Sequence, residues 1–205
     1  MERSIARIVS YLFHPLLITS IGMLILFNSG TSLSVLQPEV KRLSLIIITL
    51  FTFVFPAAMI IMLHITKVIE SIELSKRRER ILPVSLTIVL YLFTFFIMRG
   101  IPQLNGGHIV FLFCPPAVLF LILLVNNFIK PSIHMAALGM LLGLLLILIF
   151  FYGAAVQLLF IIGVLAAGLV GSARLILKLH TPREVFTGFM TGLLVTIVAL
   201  TIYII

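Results

Sequence analysis

Long apolar runs alternate with short polar segments along the whole chain. Seven runs can be drawn, at residues 7–29, 43–66, 83–99, 108–128, 132–151, 153–173 and 184–205. Each is close to the ~20 residues that an α-helix needs to cross the hydrocarbon core of a bilayer. The period-two alternation of a membrane β-barrel is absent, and lipid cannot satisfy the open backbone of other structures. The pattern predicts an all-α polytopic bundle of transmembrane helices with six or seven spans.

Two positions inside the apolar runs predict breaks. The stretch 132–172 is too long for one span, and Gly153 in "FFYGAAVQ" is the expected turn. His14 and Pro15 interrupt the first run and indicate a kink. That run is too long for the core of a signal peptide and lacks a small-residue cleavage pattern, so we expect it to be kept as a span. Because linkers and repeats are absent, residues 1–205 are predicted to form a single integral membrane domain.

The composition agrees with a membrane protein and indicates which classes of partner the chain can bind. The 205 residues are 62% hydrophobic and only 10% charged, with a formal net charge of +8. Basic loops near anionic headgroups explain such a charge on a membrane protein. No soluble segment rich in basic and aromatic residues is present to bind nucleic acid, so membrane lipids are the expected partners. The single cysteine, Cys114, excludes an internal disulfide.

Counting spans places the three most polar segments on one face of the membrane. Two runs separate the basic segment 67–82 from the loop 129–134, and two more separate that loop from 174–183. The N-terminus lies on the same face. Of the 14 lysine and arginine residues, only three fall on the other face: Lys41, Arg42 and Arg99. The positive-inside rule makes the basic face cytoplasmic, whereas a pocket for a phosphate-bearing substrate would give the same excess of charge.

The segment "SKRRERILP" supplies the first candidate residues. Arg80 is a candidate phosphate ligand because its fork of donors matches two phosphate oxygens. Lys76 would share a face with Arg80 if both residues were helical. The alternative is a basic loop whose long side chains extend to the headgroups.

The segment "KPSIHM" supplies the second group. Ser132 fits the N-cap of the fifth run, where the free N–H groups of a helix start can bind an anion. His134 would then lie in the first turn of that helix. The alternative for His134 is an interfacial side chain with its ring in the headgroup layer.

The segment "RLILKLHTPREV" supplies the third group. Thr181, Pro182 and Glu184 fit an N-cap, a first helical position and a Thr-x-x-Glu capping box, so Glu184 has a structural explanation. If the turn winds helically one residue earlier, the side chains of His180 and Glu184 meet. A carboxylate on one ring nitrogen of His180 would leave the other nitrogen as a nucleophile or base.

Taken together, these segments resemble the type 2 phosphatidic acid phosphatase superfamily, the membrane lipid phosphate phosphatases related to vanadium haloperoxidases. That family carries Pro-Ser-Gly-His, then Ser-Arg, five residues, His, three residues and Asp. Here "PSIH" ends at His134, and one helical hairpin later Arg174, five residues, His180, three residues and Glu184 follow. The small-residue stretch "VFTGFMTG" is also similar to the helix after the last motif. The resemblance covers the chain from about residue 76 to the C-terminus.

Several departures accompany the resemblance. The first motif of the family, Lys, six residues and Arg-Pro, is absent, because "ILP" follows Arg80 and Glu73 stands seven residues before it. Ile133 replaces the glycine of the second motif, and Ala173 replaces the serine before the arginine. Glu184 replaces an aspartate and is one methylene longer. The two runs between Arg80 and "PSIH" also exceed the usual spacing in the family.

The resemblance implies a hydrolase that needs neither metal nor cofactor. His180 would attack phosphorus and form a phosphohistidine, while Glu184 orients the ring and stabilises its imidazolium. His134 would protonate the leaving lipid alcohol and then help to activate water. The implied phosphate-binding residues are Arg174, Ser132, Arg80 and Lys76.

The expected substrate is a phosphate or pyrophosphate of a phospholipid or polyprenyl lipid. The expected setting is phospholipid metabolism in the inner (cytoplasmic) membrane of a bacterium. The alternative is a weakened or inactive relative that binds or transports a lipid-phosphate headgroup. The charge rule places the site in the cytoplasm, whereas many bacterial members of the family act on the outer side, so both faces stay open. The sequence is silent on the oligomeric state.

Overall fold

The computed structural model describes residues 2–74, 76–104 and 106–205. The chain is 78% helical, and no strand occurs within these ranges, so the predicted all-α class is confirmed. The helices, in chain order, are α1 Glu2–Leu12, α2 Pro15–Phe27, α3 Pro38–Thr49, α4 Phe55–Ile65, α5 Ile81–Arg99, α6 Gly106–Val125, α7 Ile133–Phe150, α8 Gln157–Ile176 and α9 Pro182–Ile204. A π-helical segment, Leu50–Val54, joins α3 to α4, and a 3-10 turn, Arg78–Arg80, leads into α5.

Within the described residues, six helices are long and apolar enough to cross a membrane. They are Pro38–Ile65, Arg78–Arg99, Gly106–Val125, Ile133–Phe150, Gln157–Ile176 and Pro182–Ile204. Helices α1 and α2 pass the same test only as a pair, which is bent by 48°. The chain is therefore an integral membrane protein, and the prediction of six or seven spans is confirmed.

Both predicted breaks occur in the structure. Helix α1 ends at Leu12 and α2 begins at Pro15, so the bend coincides with His14 and Pro15. Gly153 lies between α7 and α8 with a φ of +63°, a conformation that residues with a Cβ atom seldom adopt. The turn therefore divides the long run into two helices.

Helix α7 lies at the centre of the bundle and packs most closely against α9. A Cβ atom at Gly192 would overlap the carbonyl oxygen of Ala136, and one at Gly188 would lie 2.9 Å from the backbone nitrogen of Ser132. Small residues allow membrane helices to approach this closely. The Ser132 N–H also donates to the carbonyl of Glu184 at 3.0 Å. This packing holds the "PSIH" segment against the start of α9.

Candidate active site at one end of the bundle

A cavity opens at the end of the bundle where the three polar segments meet. It encloses about 1190 Å³, counted out to its open mouth. Four predicted site residues line it, each from a different element: Arg80, His134, Arg174 and His180. Arg80 precedes α5, His134 lies in the first turn of α7, Arg174 lies in the last turn of α8, and His180 lies between α8 and α9. The fold therefore brings together groups that are up to one hundred positions apart.

The end of α8 positions His180. Lys178 adopts a left-handed conformation with a φ of 55°, and the N–H of Leu179 donates to the carbonyl of Arg174 at 3.2 Å. This pattern is a Schellman ending, in which glycine usually takes the left-handed position. The reversal directs the chain back over the end of α8, so His180 and Arg174 face the same cavity.

The two ring nitrogens of His180 have different partners. Nδ1 lies 3.2 Å from the carbonyl oxygen of Lys130 and 3.4 Å from Oε2 of Glu184. Nε2 lies 3.4 Å from a terminal nitrogen of Arg80. Because a guanidinium only donates, Nε2 must accept, and the proton of the neutral ring is therefore assigned to Nδ1. This tautomer leaves the lone pair of Nε2 on the side of Arg80.

Burial and positive neighbours keep His180 neutral. Its side chain is only 1% exposed. The pKa of His180 is lowered from 6.5 to about 3, mainly by burial and then by the charges of Arg80, Arg174 and Lys130. Both causes disfavour the imidazolium form. At neutral pH the ring is therefore available as a nucleophile.

Glu184 serves the helix start and the histidine at once. Its Oε2 accepts the N–H of Thr181 at 3.0 Å, and its own N–H donates to Oγ1 of Thr181 at 3.4 Å. The predicted capping box, with Pro182 at the first helical position, is thus confirmed. The same oxygen reaches His180 although α9 begins only at Pro182. The two interpretations of Glu184 are compatible.

Arg80 joins three segments through its guanidinium. It is 3% exposed, and its Nε donates to the carbonyl of Leu74 at 3.0 Å. Nη1 donates to the carbonyl of Pro131 at 2.9 Å, and Nη2 faces His180. These contacts place the basic segment beside "PSIH" despite the two spans between them.

A second link, which the sequence interpretation missed, supports this placement. The side-chain amide of Asn126 donates to the carbonyl of Arg77 at 3.0 Å, and Arg77 donates to the carbonyl of Asn127 at 3.3 Å. The end of α6 is therefore tied to the segment that carries Arg80. The only sequence signal was a pair of asparagines at the end of an apolar run.

Among the predicted site residues, two have a buried polar atom that makes no hydrogen bond. The two atoms are Nε of Arg174 and Oγ of Ser132. Ser132 is the N-cap of α7 as predicted, but its side chain forms no capping bond, and it lies next to Ile133 rather than in the cavity lining itself. Arg174 is 5% exposed and lines the cavity. Buried polar groups are normally paired, so Nε of Arg174 is a candidate to bind a ligand in the cavity, while the role of Ser132 stays a prediction.

The structure does not bring Lys76 into the site. Its side chain is 61% exposed, forms an ion pair with Glu70 and lies 3.7 Å from Glu79. Residue 76 precedes the 3-10 turn that begins at Arg78, so it does not share a helical face with Arg80. The assignment of Lys76 as a phosphate ligand is therefore withdrawn.

Two charged residues and one histidine outside the predicted set also line the cavity: Arg7, Glu73 and His14. The His-Pro pair had indicated only a kink. In the structure Nδ1 of His14 accepts the N–H of Leu16 at 3.4 Å, which makes His14 the N-cap of α2. Its ring also lies edge-on to that of His134, with centroids 5.8 Å apart.

The cavity continues from this polar end between the helices. Side chains of α2, α4, α5, α6 and α7 line the continuation, and they include Leu16, Ile60, Val84, Tyr91, Leu119 and Met140. One space therefore joins a basic end to an apolar interior. An amphiphile with an anionic head matches this distribution.

Within the described residues, no group of three or more histidine, cysteine or acidic side chains is arranged to hold a metal ion. No protein-family model, no curated protein and no solved structure matches the chain.

Proposed function

We propose that this chain is a membrane-embedded phosphatase that releases phosphate from a lipid phosphate or pyrophosphate through a phosphohistidine at His180. The observation that carries the proposal is the pair of contacts on the ring of His180. Nδ1 faces the carboxylate of Glu184, and Nε2 faces the guanidinium of Arg80 inside the cavity. A nucleophilic histidine needs one nitrogen held and the other with its lone pair directed into the site, and these two contacts support that arrangement.

In the first step Nε2 of His180 forms a bond to phosphorus while the bond from phosphorus to the leaving oxygen breaks. The ring gains positive charge as its lone pair is used. Glu184 stabilises that charge through its contact with Nδ1. Arg80, whose terminal nitrogen lies 3.4 Å from Nε2, would turn its donor to a phosphoryl oxygen.

His134 handles the protons. It lies in the first turn of α7 and lines the same cavity as His180. It would donate a proton to the leaving alcohol oxygen, or to the leaving phosphate oxygen of a pyrophosphate, as the bond to phosphorus breaks. In the second step the neutral His134 would take a proton from water as that water attacks the phosphohistidine and frees His180.

Arg80 and Arg174 supply the charge that a phosphoryl group requires. Nε of Arg174 is buried without a partner, and a phosphoryl oxygen would give it one. Preorganised donors of this kind stabilise the charge of the transition state most effectively in a site that excludes water. The departures from the family motifs change neighbouring positions, but both arginines and both histidines are present in the cavity.

The apolar continuation of the cavity supports a lipid substrate. A small soluble phosphate ester has no apolar chain to contact the part of the cavity that is lined by Leu16, Val84 and Leu119. A phospholipid or polyprenyl phosphate would place its head among the arginines and its chain between the helices. Phospholipid metabolism in the inner membrane of a bacterium belongs to the same proposal.

The direct test is phosphate release by the detergent-purified protein from phosphatidate, phosphatidylglycerophosphate, and polyprenyl phosphate and pyrophosphate. We expect release that resists a chelator, is abolished by His180→Gln, and leaves a ³²P-labelled, acid-labile protein adduct when the reaction is quenched. The matched control is His64→Gln, because His64 contacts the carbonyl of Ile69 away from the cavity. Lipid binding without release, by folded protein, would instead favour a headgroup binder or transporter.

A further inference from the structure

The bend between α1 and α2 carries a third histidine into the site. Helix α1 stops at Leu12, α2 starts at Pro15, and the two axes differ by 48°. Arg7, Ser10 and His14 line the cavity from this corner. The corner lies outside the part of the chain that resembles the phosphatase family, which begins near residue 76.

The position of His14 is defined by two contacts. Its Nδ1 accepts the N–H of Leu16 at 3.4 Å, so a neutral ring carries its proton on Nε2. Its ring is 5.8 Å from that of His134, centroid to centroid, with an interplanar angle of 72°. Aromatic rings prefer this edge-to-face arrangement, and it restricts rotation of the partner ring.

A capping role alone does not explain a histidine at this position. Serine, threonine, asparagine and aspartate are the preferred N-cap residues, and Pro15 alone is enough to interrupt a helix. The contact with His134 is what the imidazole of His14 adds. His134 needs such support, because a general acid works only when its nitrogen points at the leaving oxygen.

We propose that His14 is a positioning residue that holds the imidazole of His134 in the orientation from which it protonates the leaving oxygen. The inference rests on the proposed phosphatase function. It also assigns the N-terminal corner of the chain to the site, so the functional unit includes α1 and α2 as well as the motif-bearing helices.

The leaving group provides a test that separates positioning from folding. His14→Asn keeps an N-cap acceptor for Leu16 but removes the ring from His134. Phosphate release is measured with monododecyl phosphate, whose alkoxide must be protonated, and with p-nitrophenyl phosphate, whose phenolate leaves without a proton. We expect kcat on the alkyl ester to fall by about tenfold or more relative to the change on the aryl ester, with KM little altered.

Two companion variants sharpen the comparison. His134→Asn should show the same dependence on the leaving group, and more strongly, because it removes the acid itself. His14→Phe keeps a ring against His134 but loses the capping nitrogen, so it should recover part of the kcat that His14→Asn loses on the alkyl ester.

The outcomes separate the two claims. Release from both esters by the unmutated protein supports the proposed function. If His14→Asn then retains full kcat on the alkyl ester, or loses the same factor on both esters, His14 does not position His134 and the inference is overturned. No release from any ester by folded, unmutated protein would overturn the phosphatase proposal first, and the role of His14 with it.

Discussion

Arg80 and His180 are one hundred positions apart in the chain, yet a terminal nitrogen of Arg80 lies 3.4 Å from Nε2 of His180. The guanidinium can only donate, so the contact selects the neutral ring with its proton on Nδ1. The carboxylate of Glu184 lies on the Nδ1 side of the same ring. A histidine placed between an arginine and a glutamate thus carries its proton on Nδ1 and a lone pair on Nε2, as the proposed nucleophilic role requires.

Because His180 is neutral in the folded protein, the free energy of unfolding should depend on pH. The pKa of His180 is about 3 in the folded protein and 6.5, the ordinary value of histidine, in the unfolded chain. As the pH falls below 6.5, the unfolded chain takes up a proton that the folded chain refuses, so stability falls between about pH 6.5 and pH 3 and is unaffected above that window. The slope is at most about 1.4 kcal/mol per pH unit.

The measurement is the free energy of unfolding in mixed micelles from pH 7.5 to pH 4, for the unmutated protein and for His180→Gln. Subtracting the two curves isolates His180, since other titrating groups are common to both. A constant difference across the window would show that His180 titrates normally and is not held neutral by its surroundings.

Arg80 and Lys76 should respond very differently to truncation. Arg80 is buried and directed at His180, whereas Lys76 is exposed and paired with glutamates. We expect Arg80→Ala to lower kcat/KM for phosphate release by roughly 10²–10³, as expected for a lost charge-stabilising donor. Lys76→Ala should stay within about twofold of the unmutated protein. An equal loss in both variants would contradict the assignment of the phosphate site to the buried arginine.

Glu184→Gln should separate the two functions of Glu184. Glutamine also completes a capping box, so the unfolding free energy should change by less than about 1 kcal/mol. The support of an imidazolium by a carboxylate is lost, and kcat should fall by roughly 10²–10⁴. Thr181→Ala is the complementary control: it removes the cap, at about 1 kcal/mol, but keeps the carboxylate. Activity that follows the cap rather than the carboxylate would refute the orienting role of Glu184.

Much of the helical architecture follows from the sequence alone, for physical reasons. A run near 20 apolar residues has few options in lipid, so the helices α5 to α9 lie close to the predicted runs. The Thr181–Glu184 cap and the Gly153 turn depend on local chemistry, and the structure contains both. Counting spans placed "PSIH" and "HTPRE" on the same face of the membrane, and the family resemblance implied that they form one site.

The other features of the candidate site depend on how the helices pack, which no local sequence pattern predicts. Lys76 and Arg80 belong to the same basic segment, and the sequence pattern alone does not distinguish their positions. In the structure Arg80, at the end of the 3-10 turn before α5, is buried, whereas Lys76 is exposed to solvent. From the sequence, His14 was interpreted only as part of a kink. Its approach to His134 depends on how α2 packs against α7, and the sequence contains no mark of that contact.

The approach of α7 to α9 should be sensitive to a single methyl group. Gly192→Ala would place a Cβ atom against the carbonyl of Ala136, so the helices must separate. We expect a loss of about 1–3 kcal/mol in unfolding free energy and a loss of phosphate release, because Ser132 and Glu184 are bonded across the same interface. Gly168→Ala is the matched control, since its Cβ atom would meet nothing within 4 Å. Equal stability of the two variants would show that the interface tolerates separation.

Ser132 should show the opposite combination, with stability kept and activity reduced. Its Oγ is buried without a partner, so Ser132→Ala removes an unsatisfied group and should leave the unfolding free energy unchanged or raise it. If the hydroxyl bonds a phosphoryl oxygen in the complex, phosphate release should fall by about tenfold.

Ser29 is the control, because its buried hydroxyl donates to the carbonyl of Leu26 at 3.0 Å, at the far end of α2. Ser29→Ala should therefore cost about 0.5–1.5 kcal/mol of stability and leave release intact. Full activity in Ser132→Ala would remove Ser132 from the phosphate site and leave the two arginines to bind the phosphoryl group.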